Sequence, residues 1–328
     1  MTDWARVPKT ELHLHLEGAA PPEFIRMLAE EQGARLEGVF DAEGAYAWRD
    51  FAEFLECYRR ACSVLRGPEE FQRLTEAVLT ASAAHGVVYT EIFVAPDICG
   101  GGDPVAWEEH LAALEAGADA VPEVETRFIS TAIRNLGPER AEDAARISAA
   151  TRGGRLTGFG MGGEERHLTA TDFARAFDIA REGGLHLTSH AGEICGAQSV
   201  RDTLDHLKVA RVGHGVRAIE DPALVDRLVA EQIVLEVNPG SNVALHVVPD
   251  WPDHPIDRLR RAGVPVTIST DDPPYFHTDM TREYDMLSRT FGWTVVDFNA
   301  MNRTALDAAF CDPATRARLM PLFPEDPA

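Results

Sequence analysis

Two histidines near the start of the chain have a spacing that suits a shared metal ion. His13 and His15 lie in the run ELHLHLE at positions 11–17, where polar and apolar residues alternate with a period of two. This alternation is typical of a β-strand, in which side chains two positions apart project from the same face. The alternative is a half-buried strand with two hydrogen-bonded histidines, and the motif alone does not decide between them.

Further histidines and carboxylates follow later strand patterns. His190 ends the fifth such pattern and precedes Glu193, His214 ends the sixth, and Asp271 and Asp272 follow the eighth. The carboxyl ends of parallel strands in a barrel meet at one rim, where active sites lie. Taken singly, each has a structural interpretation: a hydrogen-bonded core histidine for His214, and a turn for the Asp-Asp-Pro-Pro run. Because four different strands place such residues at the same rim, we predict a functional site there.

The residue types at this rim suit a divalent metal ion. Three imidazoles and one carboxylate would bind the ion and leave a further position for water, and these ligands are His13, His15, His190 and Asp271. Such an ion lowers the pKa of its water toward ~7. The chain has two lysines, Lys9 and Lys208, and neither lies in the fourth strand pattern, where barrel hydrolases with two metals commonly carry a bridging lysine. We therefore predict a single ion.

The other polar residues at the rim suit roles beside the ion. Glu193 follows a metal ligand by three residues, so it would lie near the metal without binding it, which suits a general acid. His214 would act as a base or as an electrostatic stabiliser near the water. Asp272 adjoins a ligand but points elsewhere, and would hold the substrate.

Short β-rich runs alternate with helical patterns along the chain, which predicts one (β/α)8 TIM barrel over residues 1–328, with an open doubly wound sheet as the second choice. The predicted strands are 11–16, 87–93, 125–131, 156–160, 185–190, 211–213, 233–237 and 265–270, and the predicted helices include 71–85, 107–120, 171–182, 222–230 and 255–262. The long connection over residues 20–85 is predicted to be a helical insertion. It contains apolar residues at helical spacing, Phe51, Phe54, Leu55 and Tyr58, which are either ordinary packing residues or a lid over the barrel mouth. Phe54 and Leu55 are the two predicted to contact the substrate.

Composition narrows the class of partner. The net charge of −22 repels phosphate backbones, so nucleic acid and anionic membranes are poor partners and a small molecule is expected. The start of the chain lacks the pattern of a signal peptide, and nothing approaches the ~20 apolar residues of a membrane span. Five cysteines, an odd number, suggest reduced thiols. We therefore expect a cytoplasmic protein, and the sequence leaves its oligomeric state open.

Five ordered motifs together resemble the adenosine deaminase family of the amidohydrolase superfamily. They are PKTELHLHLEGA at 8–19, HAGE at 190–193, GHG at 213–215, PGSN at 239–242 and TDDP at 270–273, and they extend over nearly the whole chain. The resemblance implies a purine aminohydrolase on a (β/α)8 barrel with one zinc ion, or iron(II), held by the four ligands above. It also implies that Glu193 protonates purine N1, His214 helps to activate the water, Asp272 bonds N7, and the Gly163 N–H contacts N3.

Two positions depart from the family pattern. Asn238 stands where the motif usually begins with cysteine. Glu17 stands where nucleoside deaminases carry an aspartate that contacts the ribose, whereas family members acting on free adenine or on modified purine nucleosides often carry glutamate. The extra methylene would place the carboxylate further into the sugar subsite, where it would either reject ribose or reach it in a shifted pose.

We expect the chain to deaminate adenosine, and possibly 2′-deoxyadenosine, to inosine and ammonia. The alternative is an adenine deaminase, or a deaminase of aminodeoxyfutalosine or another modified adenine. A further alternative is an amide or ester hydrolase that uses the same metal, because fold does not dictate function. A purine-binding barrel without activity is the non-enzymatic alternative, although every expected ligand and the acid are present.

Overall fold

Eight parallel strands form one sheet in sequence order, β1 to β8. The computed structural model describes residues 2–325. The strands are β1 (Lys9–His15), β2 (Val87–Val94), β3 (Glu125–Ile133), β4 (Leu156–Gly162), β5 (His186–Ala191), β6 (Arg211–His214), β7 (Val234–Val237) and β8 (Val266–Ile268). Each strand follows a crossover, as parallel pairing requires, and the strands are buried along most of their length.

The sheet closes between its first and last strands. Leu14 and Asp271 form a parallel bridge just beyond β8. The His15 N–H donates to the Asp271 carbonyl (3.0 Å), and the Asp271 N–H donates to the His13 carbonyl (3.1 Å). The predicted (β/α)8 barrel is confirmed, and the residues that close it are the ones predicted to bind metal.

The helices pack outside the strands. They are α1 (Pro22–Glu31), α2 (Phe51–Ala61), α3 (Pro68–Ala84), α4 (Pro104–Asp119), α5 (Pro138–Ala150), α6 (Ala174–Glu182), α7 (Ala197–Asp202), α8 (Pro222–Ala230), α9 (Pro239–Ala244), α10 (Ile256–Arg261), α11 (Met280–Phe291), α12 (Val295–Ala308) and α13 (Pro313–Leu319). Many begin with proline at the first turn, where its missing N–H costs nothing. In the part of the chain that the structure describes, no helix is long and apolar enough to cross a membrane.

The sequence located the helices better than it located their ends. Helix α3 begins at Pro68 and α4 at Pro104, three residues before each predicted start. The first turn of α3 is proline and two glutamates, which apolar periodicity misses. The first turn of α4 holds Val105, which is exposed and so lies off the buried face of the helix. Strand β8 ends at Ile268, two residues short of the prediction, and Asp271 beyond it has a left-handed backbone (φ 68°).

The connection after β1 contains helices, as predicted, and α2 lies against the aromatic residues that follow β8. The ring centroid of Phe54 is 5.5 Å from that of Tyr275 and 5.2 Å from that of Phe276. Phe54 and Leu55 also line the main cavity of the protein. The two interpretations of these residues are therefore compatible, since the same aromatic packing that anchors α2 forms one wall of the cavity.

Candidate metal centre and active site

Four predicted metal ligands converge at the carboxyl ends of β1 and β5 and just beyond β8. The Nε2 atom of His190 lies 3.0 Å from Nε2 of His13 and 3.1 Å from Nε2 of His15. Asp271 Oδ1 lies 3.2 Å from His15 Nε2 and 3.5 Å from His13 Nε2. Around a tetrahedral ion with bonds of 2.0–2.1 Å, neighbouring ligand atoms are about 3.3 Å apart. The four atoms therefore have the spacing of ligands to one ion.

The hydrogen bonds of the imidazoles test whether a cation fits between them. His13 Nδ1 donates to Glu236 Oε2 (2.8 Å), and His190 Nδ1 donates to the carbonyl oxygen of Met161 (2.9 Å). Both partners only accept, so a neutral ring carries its proton on Nδ1 and a lone pair on Nε2. Burial holds the pKa of His190 well below its ordinary value, so this ring is neutral. Two lone pairs facing each other at 3.0 Å repel unless a positive charge lies between them. Burial lowers the pKa of His13, but the carboxylates of Asp271 and Glu236 outweigh it and raise this pKa to about 9, so the cluster attracts a cation, whether a proton or a metal ion. The residues present therefore fit a metal ion.

A buried chain of charged groups supports His13 from below. Glu236 Oε1 accepts from Thr188 Oγ1 (2.8 Å) and from Arg211 Nε (2.6 Å), and Arg211 in turn bonds Glu91 (2.5 Å). Burial raises the pKa of Glu236, but Arg211 and His13 outweigh it and hold this pKa at about 2. Glu236 is thus a carboxylate that fixes the ring orientation of a predicted metal ligand. The sequence analysis did not identify it, because it lies mid-strand in β7 without a motif.

Replacing Glu236 with glutamine should weaken metal binding about 10- to 100-fold, since partners behind metal ligands contribute about that much. The glutamine NH2 must face either His13 or Arg211, and both donate. Competition with a chelator measures the affinity. Asp257→Asn is the matched control, because that carboxylate is also buried and accepts from Trp293 (2.9 Å) but lies away from the cavity. Equal affinity in the Glu236 variant and the wild type would contradict the supporting role.

Three carboxyl groups meet beside the predicted ligands. Glu193 and Asp272 are 6% and 5% exposed, and both line the cavity with Asp271. Burial and the charge of Asp271 raise the pKa of Glu193 and of Asp272 well above their ordinary values. Burial raises the pKa of Asp271, but the neighbouring imidazoles of His13 and His15 outweigh it and hold this pKa well below its ordinary value. Asp271 therefore favours the carboxylate form at the ligand cluster, whereas Glu193 and Asp272 favour the protonated form.

A relay of hydrogen bonds fixes the tautomer of His214. The Ile256 N–H donates to His254 Nδ1 (3.1 Å), so His254 donates from Nε2 to Asn242 Oδ1 (3.1 Å). The Asn242 amide nitrogen then donates to His214 Nδ1 (3.3 Å). Burial lowers the pKa of His214 to about 3. His214 is therefore neutral with its proton on Nε2, and this nitrogen lies 3.7 Å from Glu193 Oε2. Because the nitrogen nearest Glu193 already carries a proton, the arrangement favours the stabilising role of His214 over the role of a base.

Asn238, which stands where the motif usually has cysteine, lies against the same ring. Its amide nitrogen is 3.3 Å from Nδ1 and 3.5 Å from Nε2 of His214. His214 itself has a left-handed backbone (φ 59°), like Asp271 (φ 68°). Non-glycine residues in this region cost about 1–3 kcal/mol each and cluster at functional sites. Two of the site residues are thus held in strained conformations by their surroundings.

The remaining predicted substrate residues form the opposite wall of the cavity, which has a volume of about 410 Å³ and is mainly apolar. Glu17 is 3% exposed; its Oε2 accepts from Tyr58 of α2 (3.3 Å), and its Oε1 has no partner within residues 2–325. Gly163 has φ of 107°, and a Cβ there would lie 2.5 Å from Asn135 Oδ1. Asn135 Oδ1 accepts from the next N–H, that of Glu164 (2.9 Å), so it orients the strand end that carries Gly163.

Comparison with known proteins identifies the family. A family profile described as adenosine deaminase matches residues 8–323. The chain belongs to the adenosine deaminase family. It is 48% identical to an adenine deaminase of Rhizobium rhizogenes over 321 residues, which cover 96% of this chain and 98% of that protein.

Two solved structures show the same fold. An adenine deaminase of Arthrobacter aurescens is similar with a TM-score of 0.85 and 29% identity, over 96% of this chain and 98% of that one. An amidohydrolase of Burkholderia ambifaria with bound Zn is similar with a TM-score of 0.83 and 26% identity, over 96% of this chain and 89% of that one. The expectation of a purine aminohydrolase of this family is confirmed.

The expectation that adenosine is the substrate is wrong. Relatives that are 45–48% identical to this chain are named adenine deaminases, and so is the Arthrobacter structure. The structure offers a physical reason at the position where the nucleoside enzymes have the ribose-contacting aspartate. Glu17 is longer than that aspartate, it is buried, and its carboxylate is bonded to Tyr58 (3.3 Å).

Proposed function

We propose that this protein is an adenine deaminase, which converts adenine and water to hypoxanthine and ammonia with one bound zinc ion. The names of relatives at 45–48% identity carry the choice of substrate. The whole chain would form one metal-dependent hydrolase domain. Iron(II), which also takes imidazole and carboxylate ligands, is the alternative ion.

The polar groups of the cavity complement the edge of free adenine. Adenine differs from adenosine by an N9–H donor in place of the sugar. Glu17 Oε1 is buried without a donor, and a buried acceptor left unpaired costs about 1–3 kcal/mol. In the proposed pose Glu17 accepts the N9–H, the Gly163 N–H donates to N3, and the Asp272 acid donates to N7. Phe54 and Leu55 cover the ring.

The same pose places the chemistry at C6. When bound, the metal ion supplies a water molecule of lowered pKa. Glu193, kept protonated by burial and by Asp271, donates its proton to N1 and so makes C6 electrophilic. The water oxygen adds to C6 and the C6–N6 bond breaks. One proton of the water passes to N6, which leaves as ammonia, and the other restores the acid form of Glu193. His214 donates a hydrogen bond from Nε2 to the attacking oxygen and keeps its own proton throughout.

The substrate is tested by measuring ammonia release from adenine, adenosine, 9-methyladenine and aminodeoxyfutalosine. We expect kcat/KM for adenine to exceed the others by at least ~100-fold, because 9-methyladenine leaves Glu17 unpaired and the nucleosides must displace Tyr58 as well. The same panel with Glu193→Gln measures any contaminating deaminase. Faster turnover of either nucleoside than of adenine would contradict the proposed substrate, and hydrolysis of amides or esters alone would contradict the proposed reaction.

A further inference from the structure

A buried carboxylate behind the active site binds the loop that carries Glu193. Glu165 lies in the connection after β4 and is 4% exposed. Its Oε1 accepts from the Gly192 N–H (2.5 Å) and from Ser199 Oγ (2.6 Å). Its Oε2 accepts from the Ile194 N–H (2.7 Å) and the Cys195 N–H (2.8 Å). The four donors use the full accepting capacity of one carboxylate.

These contacts lie on both sides of the proposed acid. The bonded N–H groups belong to the residue before Glu193 and to the two residues after it. The backbone of the loop between β5 and α7 packs closely against its neighbours, because a Cβ at Gly192 (φ 68°) would lie 2.4 Å from Val200. The Glu165 carbonyl accepts from Arg134 Nη1 (3.2 Å), which ties the carboxylate's own segment to the end of β3.

We propose that Glu165 is the positioning residue for Glu193, acting through three backbone N–H groups that flank it. Glu165 lies outside the cavity lining, so it does not touch the substrate. The inference rests on the proposed role of Glu193 as the proton donor. Strands β4 and β5 are adjacent in the barrel, so a residue just after β4 can position the proton donor that follows β5.

Glu165→Gln should lower kcat about 10²-fold, with KM changed less than about threefold and metal content unchanged. The glutamine keeps one accepting oxygen, and its NH2 must face two donors, so the loop shifts. A misplacement of about 1 Å costs about this much in rate. Asp257→Asn is the matched control, because it alters another buried carboxylate, which accepts from Trp293 (2.9 Å), and should leave kcat near that of the wild type.

The double variant separates positioning from general loss of structure. If Glu165 acts through Glu193, Glu165→Gln should lower kcat no further once Glu193 is already glutamine, since the effects of residues that act as a unit do not add. A further 10²-fold fall in the double variant would overturn the proposal, and so would a loss of metal or a rise in KM alone.

A milder variant serves if Glu165→Gln does not fold. Ser199→Ala removes one of the four donors and leaves the three backbone bonds. It should lower kcat a few-fold in the wild type and have no effect in the Glu193→Gln background. An equal effect in both backgrounds would overturn the proposal. If Glu193→Gln itself keeps full activity, the assignment of the acid has failed rather than the assignment of Glu165.

Discussion

Glu193→Gln should lower kcat for adenine by about 10³-fold while the protein keeps its metal. The glutamine has the same shape but holds no transferable proton, and general acid catalysis contributes about 10²–10⁴-fold. Steady-state kinetics with a metal analysis of the same sample measures both quantities. A rate within about tenfold of the wild type would show that another group protonates the purine.

The dependence of kcat on pH is a second expected result for Glu193. Burial and Asp271 raise the pKa of Glu193 well above its ordinary value. The acid form is therefore present below that raised pKa, and kcat should fall as the pH rises through it. The residual rate of Glu193→Gln should lack this alkaline decline. Asp257→Asn, which alters a carboxylate remote from the cavity, should retain the decline. The same alkaline decline in Glu193→Gln would assign it to a different group.

Removing the metal should lower kcat by at least ~10³-fold, because a Lewis acid and a water of lowered pKa are lost together. The four ligand atoms are 3.0–3.5 Å apart in contacting pairs, which accommodates one ion. Activity should return on addition of about one equivalent of zinc(II). Asp271→Ala should lose both metal and rate, whereas Glu193→Gln loses only the rate. Full activity in metal-free protein, or a requirement for two ions per chain, would contradict the predicted site.

The barrel could be predicted from the sequence because its signals are local. Alternating β-rich and helical runs located all eight strands, and the rule that parallel strands place function at their carboxyl ends selected the rim. The structure brings His13, His15, His190 and Asp271 to one point, although their roles as ligands stay predictions. The sequence pattern misses the helix start at Pro68 because a polar first turn carries no apolar period.

The supporting groups could not be predicted in the same way. Glu236 bonds His13 from another strand, and His254 bonds Asn242, which in turn bonds His214. These contacts join residues that are distant in the sequence, so only the folded structure shows them. Glu165 is one of two adjacent glutamates after Gly163, and only the fold shows that its oxygens meet the Glu193 loop. In the sequence, the pair of glutamates just past the end of β4 is the one signal that points to Glu165.

The substrate was mispredicted although the informative residue had been noticed. Glu17 was singled out in the sequence, but its meaning depends on which donor already occupies the carboxylate. The structure shows Tyr58 from the distant helix α2 bonded to one oxygen while the other has no partner within residues 2–325. A base and a nucleoside differ at one nitrogen, so a single side chain contact decides between them.

Turnover of adenine in water enriched with oxygen-18 tests the central claim most directly. The account predicts hypoxanthine that carries one labelled oxygen at C6, together with one ammonia for each adenine consumed. Mass spectrometry of the product and an ammonia assay on the same sample measure both. Unchanged adenine in metal-loaded protein, or hypoxanthine without the label, would contradict hydrolytic deamination of the free base at this site.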